Sequence, residues 1–579
     1  MNPEGRGQRA EGRREALRAI LRVLLFLLPS ALCALPSAAQ VNAKRAALST
    51  AHPLATRAGL KVLQQGGTAA DAAVTVACVL AVVHPQAGNL GGGGFLVYYD
   101  AKTRDIWTLD FRETAPRELH VDKMIARPRG MNGGVPEGRG LSIGAPGEPA
   151  GLEWLQVHYG KKSLAADALP AADLAARGFS LGRHVAELLP RLTEYASPSP
   201  QIAATFFPGG RPAEFRSTIR RPELAKTLVR FGAEGSRPFY TGDIAAKIVE
   251  AAHSSGGTLS ASDLAQYRVK ERPALSRTID GRTIATMPAP SGGGLMLMEA
   301  VLMYGADKTS PLAAMGHQSS EYLHTLAEVM RGATADRARI AGDPDIELGV
   351  TAAFEQALSP EQIAARRSRI DPKKTRPAPE FKSREQGTSH LIVADAEGNV
   401  VSLTTTVNGP FGARTVAGDT GIVLNDQLSD FTSPEEVAAY KLPGPSWNSP
   451  HPGARPVSSM TPTIVVEGGD VVMAVGGSGG MRIATNVTQA TLCRLVFGLD
   501  PTACISAPRF FTGTSSEMVL EPEFSRDVRD GLVARGETLK DEKFLGTGVQ
   551  MVAFERGKDG HRKVLAATDP RKSGLAAAQ

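Results

Sequence analysis

Gly387-Thr388-Ser389-His390 opens a hairpin two-thirds of the way along the chain, with one strand from His390 to Asp395, a turn at Ala396-Glu397-Gly398-Asn399 and a return strand from Val400 to Thr406. This pattern sets Thr388 at the start of a core strand, where it would be held rigidly. A threonine hydroxyl is a poor nucleophile unless a base lies beside it. The nearest base a chain can supply is the α-amine of that same threonine, released when the preceding peptide bond is cut. Gly387 suits such a cut, because without a Cβ it tolerates strained backbone and close approach. Taken alone, the same four residues also fit an ordinary threonine at the start of a strand.

The surrounding sequence decides between these readings. Thr406-Val407-Asn408 closes the hairpin, and Gly421-Ile422-Val423-Leu424-Asn425-Asp426-Gln427-Leu428-Ser429-Asp430-Phe431 follows it. Further on stand Arg455-Pro456-Val457-Ser458-Ser459-Met460 and Gly476-Gly477-Ser478-Gly479-Gly480. Upstream are Asn89-Leu90-Gly91-Gly92-Gly93-Gly94-Phe95, Asp110-Phe111-Arg112-Glu113-Thr114-Ala115-Pro116, Asp336-Arg337 and Gly342-Asp343-Pro344-Asp345. Together, in one order from about residue 45 to the end, these blocks resemble the γ-glutamyltranspeptidase family.

That resemblance implies an α+β fold, the four-layer αββα sandwich of N-terminal-nucleophile hydrolases, with two stacked antiparallel sheets covered by helices. It also implies a precursor that cuts itself between Gly387 and Thr388 into a large subunit, 40–387, and a small one, 388–579. Thr388 is then the nucleophile, and Thr406 the second threonine that orients its amine and hydroxyl. The substrates implied are glutathione and other γ-glutamyl compounds, with water or acceptor amino acids and dipeptides resolving the glutamyl ester. No metal or organic cofactor is implied.

A γ-glutamyl group presents a carboxylate, an ammonium and a carbonyl, and each needs a partner. Arg112 ends a predicted strand and suits the carboxylate, since a guanidinium offers two parallel hydrogen bonds. Ser458 and Ser459 resemble the hydroxyl donors that complete this site. Asp430 supplies the charge an ammonium requires, with Gln427 and Asn408 as neutral acceptors. The Gly476–Gly480 loop is expected to join a strand to a helix start, where backbone N–H groups lack partners. By resemblance, Gly479 and Gly480 form the oxyanion hole. A phosphate-binding loop would end in Gly-Lys-Ser/Thr, whereas this one continues Gly480-Met481-Arg482. The Gly91–Gly94 run is read as close backbone packing, without a catalytic role. The segment Thr432 to Val457 resembles a lid loop; Tyr440 is its candidate closing aromatic, and Trp447 competes for that place.

Two other readings stay open. Glutaryl-type β-lactam acylases bind an acyl group without an amine, and the presence of Asp430 argues against that reading. A catalytically inactive binding protein on the same fold is the other, against which the full set of reactive residues argues.

Composition narrows the rest. Hydrophobic residues make 42% and charged residues 21%, which fits a globular enzyme with a sizeable core and excludes a disordered or fibrous chain. The formal charge is +6, but residues 1–39 carry six arginines and three glutamates, leaving +3. That surplus is too small to argue for nucleic acid. Residues 1–39 read as an export signal: an arginine-rich start, an apolar run from Val23 to Leu35, then Pro36-Ser37-Ala38-Ala39 for signal peptidase. The run falls short of the ~20 residues of a spanning helix, so no stable membrane anchor is expected. A periplasmic or extracellular location follows, while Arg13-Arg14 leaves the general and twin-arginine export routes both open. Beyond the signal stand Cys78, Cys493 and Cys504, which make no disulfide framework; the spacing of Cys493 and Cys504 does not decide whether they bond. No Cys-x-x-Cys or His-Glu-x-x-His suggests a metal.

Helices are expected over His52–Gln65, Ala69–Val83 and Met481–Leu499, and across most of 147–190, 222–276 and 310–370. Hairpins are expected over 95–111, 464–475 and 549–567.

Overall fold

Alternation of apolar residues to two faces is the local rule from which this architecture follows. In the computed structural model, residues 41–43, 46–121, 139–193, 199–378, 387–513, 515–543, 545–556 and 562–579 are described. The expected export signal therefore lies outside the described residues. Two seven-stranded sheets hold β1 (Val41–Ala43), β2 (Ala47–Thr50), β3 (Gly93–Tyr99), β4 (Ile106–Phe111), β5 (Lys270–Pro273), β6 (Leu275–Ile279), β7 (Arg282–Thr286), β8 (Gly387–Ala394), β9 (Val400–Asn408), β10 (Thr463–Glu467), β11 (Asp470–Ser478), β12 (Gly548–Arg556), β13 (Arg562–Thr568) and β14 (Leu575–Ala578). The first sheet runs β14-β2-β8-β9-β3-β4-β5, the second β1-β13-β12-β11-β10-β7-β6. Pairing within both is antiparallel.

Each strand side finds its own core. Leu391, Val393, Val401, Leu403, Leu96 and Tyr98 face helices α1 (Pro53–Gln64) and α2 (Ala69–Val83). Their neighbours one residue along, Ile392, Ala394, Val400, Val97 and Tyr99, meet Ile464, Val471, Ala474 and Val552 of the other sheet. Val465, Met473, Val475 and Met551 then face outward to α3 (Gly293–Tyr304), α4 (Ser320–Ile340) and α5 (Arg482–Leu495). A period of two thus buries both faces of each sheet and produces four layers, helix–sheet–sheet–helix. Helix α2 is apolar all round and buried along its whole length, with Thr68 and Asp71 closing a capping box.

Several expectations need adjustment. Lys270–Pro273 is a strand inside the 222–276 stretch expected to be helical, and Leu275–Ile279 starts at its end. Edge position explains this: β5 alternates charge with Pro273 and buries little, so it shows no apolar period. Gly476, Gly477 and Ser478 belong to β11, so the expected five-residue loop shrinks to Gly479-Gly480 before α5. Cys493 and Cys504 are disulfide-bonded, with Cα atoms 5.5 Å apart, and Cys78 is free and buried.

Candidate active site

At the start of β8 the ladder is irregular. Gly387 pairs with Asn408 while Thr388 pairs with Thr406, so a bulge falls between Gly387 and Thr388. A Cβ on Gly387 would lie 2.7–2.8 Å from the carbonyl oxygens of Gln86, Gly409 and Asn408, which only glycine avoids. The Thr406 hydroxyl donates to the Gly387 carbonyl at 2.7 Å and accepts from Asn408 N–H at 2.9 Å. Its single proton is committed there, so at 3.3 Å Thr406 accepts from the Thr388 hydroxyl rather than donating to it. Asn408 turns the chain away with φ of +71°, a conformation that asparagine tolerates better than most residues.

Thr388 shares its strand face with His390 and Ile392, the face between the sheets. His390 is buried, bonded to the Thr404 hydroxyl at 2.8 Å, and burial pushes its imidazole down to about 3, so it stays neutral. Across the gap, Ser402 donates to Val475 O at 3.4 Å and the His390 ring packs against Gly476. These successive contacts carry the Gly479-Gly480 turn toward the Thr388 end of β8. Both turn glycines have positive φ, +128° and +64°. A Cβ on Gly479 would lie 2.6 Å from Thr547.

A second group of side chains surrounds Arg112, which is 1% exposed. Its Nη2 donates to Asp430 Oδ2 at 2.7 Å and to Val457 O at 3.2 Å, and its Nε donates to Pro456 O at 3.1 Å. The guanidinium is therefore anchored on the loop that continues into Ser458 and Ser459, both buried. Ser458 Oγ accepts from Met460 N–H at 3.1 Å. Asp430 also accepts from Gln427 Nε2 at 2.6 Å, and burial pushes its carboxyl upward against the pull of Arg112. Arg112 and Asp430, expected to hold opposite charges of one ligand, here hold each other.

Two acceptors beside this pair are unused. Asn408 Oδ1 and Gln427 Oε1 are buried without a hydrogen-bond partner among the described residues, although the amide nitrogen of each is bonded. Buried polar atoms are seldom left so. The structure thus brings Asn408, Gln427 and Asp430 together with Arg112, Ser458 and Ser459.

Asn425, Asp426, Asn448 and Glu113 were assigned no role from the sequence. Asn425 ties the segment to the glycine run: its Nδ2 donates to Gly91 O and Gly144 O at 2.8 and 2.9 Å, and its Oδ1 accepts from Gly144 N and Gln427 N. A Cβ at Gly91 or Gly92 would meet a backbone oxygen at 2.1 Å, so that run serves close packing. Asn448 donates to Asp430 O and accepts from Val457 N–H, both at 2.8 Å, fastening the 432–457 segment over the site. Asp426 is half-buried, accepts from Gly409 N–H at 2.7 Å, and is pushed by desolvation to about 6. Glu113 is pushed by burial to about 8, and neither carboxyl oxygen reaches another residue's donor among the described residues. Tyr440 ends the short helix Pro434–Ala439 and is buried, with its phenol pushed up by desolvation near Arg337. Trp447 packs against Gly342 and Gly349.

A family model described as Gamma-glutamyltranspeptidase matches residues 55–579. The glutathione hydrolase proenzyme of Pseudomonas sp. (strain A14) is 35% identical over 481 residues, covering 82% of this chain and 82% of its own. That of Escherichia coli (strain K12) is 33% identical over 540 residues, 92% of this chain and 91% of its own. Among solved structures, the cephalosporin acylase from Bacillus halodurans superposes with a TM-score of 0.82 at 25% identity, over 93% of this chain and 97% of that one.

Proposed function

The chain belongs to the γ-glutamyltranspeptidase family, and from that premise we propose that it is a self-cleaving γ-glutamyltransferase and glutathione hydrolase with Thr388 as nucleophile. The observation that carries this reading is the bulge at Gly387/Thr388 with the Thr406 hydroxyl on the Gly387 carbonyl. In the precursor, Thr388 Oγ attacks the Gly387 carbonyl carbon while Thr406 polarises its oxygen. The peptide C–N bond breaks, the nitrogen takes the proton, and an ester joins Gly387 to Thr388 Oγ. Water then hydrolyses that ester, leaving a carboxylate on Gly387 and a free α-amine on Thr388.

In turnover that amine is the base. The substrate's α-carboxylate takes Arg112, Ser458 and Ser459, and its ammonium takes Asp430 and the open oxygens of Asn408 and Gln427. The zwitterion enters between Arg112 and Asp430, exchanging one buried ion pair for two. Thr388 attacks the γ-carbonyl, and the Gly479 and Gly480 N–H groups hold the oxyanion. The amine passes its proton to the leaving cysteinylglycine, and water or an acceptor amine releases the glutamyl group. Tyr440 closes the lid segment. An acyl donor lacking the amine would leave the Asn408 and Gln427 acceptors unfilled, which favours the glutamyl over the glutaryl reading.

The reading of residues 1–39 as an export signal supports a periplasmic or extracellular location, and among the described residues no helix is long and apolar enough to cross a membrane. Intact mass under denaturing conditions tests the proposal. The wild type should give two species, from about residue 40 to 387 and 388 to 579, and Thr388→Ala one uncut chain without activity. Full processing of that variant would remove Thr388 from the role.

A further inference from the structure

Beneath the Gly479-Gly480 turn lies a buried lysine that the mechanism above leaves unused. Lys572 sits between β13 and β14, is 3% exposed, and donates from Nζ to the Ser478 hydroxyl at 2.8 Å. Ser478 ends β11 immediately before the turn, and its hydroxyl donates to Gly548 O at 3.3 Å. The lysine stem runs over Gly548, where a Cβ would come within 2.9 Å of its Cδ, so the path of the ammonium is fixed by packing.

The groups facing this ammonium do little to neutralise it. Asp569 is the acid beside it, but Asp569 already receives Arg509 Nη2 at 2.5 Å, Val549 N–H at 2.9 Å and Arg571 at 3.3 Å. Arg509 adds like charge. His84 and His184 stack at 5.5 Å and feel the lysine's charge; burial first, and neighbouring positive groups second, keep both imidazoles neutral, His184 at about 3. Burial lowers Lys572 to about 8. A methionine would fill the same channel without the desolvation cost of an ammonium, so packing alone does not account for a lysine here.

We propose that Lys572 is a positioning residue for the oxyanion turn: its ammonium fixes Ser478, thereby aims the Gly479 and Gly480 N–H groups, and adds positive potential where the negative oxygen develops. This rests on the reading of that turn as the oxyanion site. Lys572 is charged below about pH 8, so the wild-type kcat falls as pH rises through that value, while the Thr388 amine governs the acid limb.

The test compares wild type, Lys572→Met and Ser478→Ala by intact mass and by kcat and KM on γ-glutamyl-p-nitroanilide across pH. Lys572→Met is expected to be cut, to lose ~10-fold or more in kcat with KM within about threefold, and to lack the alkaline limb. Full kcat, a retained alkaline limb, or a loss confined to KM would overturn the assignment. Should Lys572→Met fail to mature, Ser478→Ala decides, since it keeps the ammonium and deletes its acceptor: a kcat loss of about fivefold or more supports the proposal, and wild-type kcat sinks it. An uncut, inactive wild type would instead count against the threonine reading itself.

Discussion

The Thr388 end of β8 and the Arg112–Asp430 pair are both buried, yet their polar groups are balanced differently. Around Thr388, the Thr406 hydroxyl gives its proton to Gly387 O and accepts from Asn408 N–H and Thr388 Oγ, so its hydrogen-bonding capacity is full before any substrate arrives. Around Arg112, the ion pair with Asp430 satisfies charge at 2.7 Å while Asn408 Oδ1 and Gln427 Oε1 have no partner among the described residues. The first arrangement suits a reaction that occurs once, on the chain itself, from groups already in register. The second suits a ligand that must enter, because two unfilled acceptors penalise the empty state and reward an added donor.

This contrast can be broken at either region. Asp430→Ala strands the buried Arg112 charge and deletes the ammonium partner; loss of a buried ion-pair partner typically costs ~3–5 kcal/mol. The expected result is intact self-cleavage with kcat/KM for glutathione lowered by roughly a hundred- to several-thousandfold. Unchanged glutathione kinetics would take Asp430 out of the site. Thr406→Val keeps shape and removes the hydroxyl, so the Gly387 carbonyl loses its donor; a time course of intact mass should show cleavage slowed by roughly 10–100-fold, the size of one strong hydrogen bond. Cleavage at the wild-type rate would mean that the Thr406 contact is only structural.

The smallest effect concerns Glu113. Its folded value near 8 exceeds its ordinary 4.5, so between those pH values the folded chain holds a proton that the unfolded chain has released. Stability therefore falls as pH rises through that window. Glu113→Gln should melt like the wild type at pH 5 and higher than it at pH 8, by on the order of 2 °C. Equal melting curves at both pH values would show that Glu113 is not held protonated.

What the sequence made legible follows from range. The hairpin at Thr388, helix α2 with its Thr68 cap, and the strands around Gly468-Gly469 depend on neighbours, and their periods of 2 and 3.6 are visible in a short window. Arg112, Asp430, Ser458, Ser459, Gly479 and Gly480 were identified by resemblance, not by periodicity. Strand β5 escaped notice because an edge strand exposes both faces and shows no apolar alternation. Asn425 and Asn448 do their work through carbonyls tens or hundreds of residues away, and an asparagine in a loop carries no mark of such partners. The contact between Arg112 and Asp430, 318 positions apart, is equally a product of tertiary structure.

The strand order has one more consequence. In the first sheet β2 lies between β14 and β8, and in the second β1 caps β13 while β7 and β6 follow β10. Strands from either side of residue 387 are thus laced through both sheets, and severing that peptide bond removes no ladder. The two products of such a cut would share both sheets. Their dissociation is unfolding by another name. Reassembly from separated halves becomes a second-order process whose yield falls on dilution, whereas the uncut chain regains its structure at a rate independent of concentration.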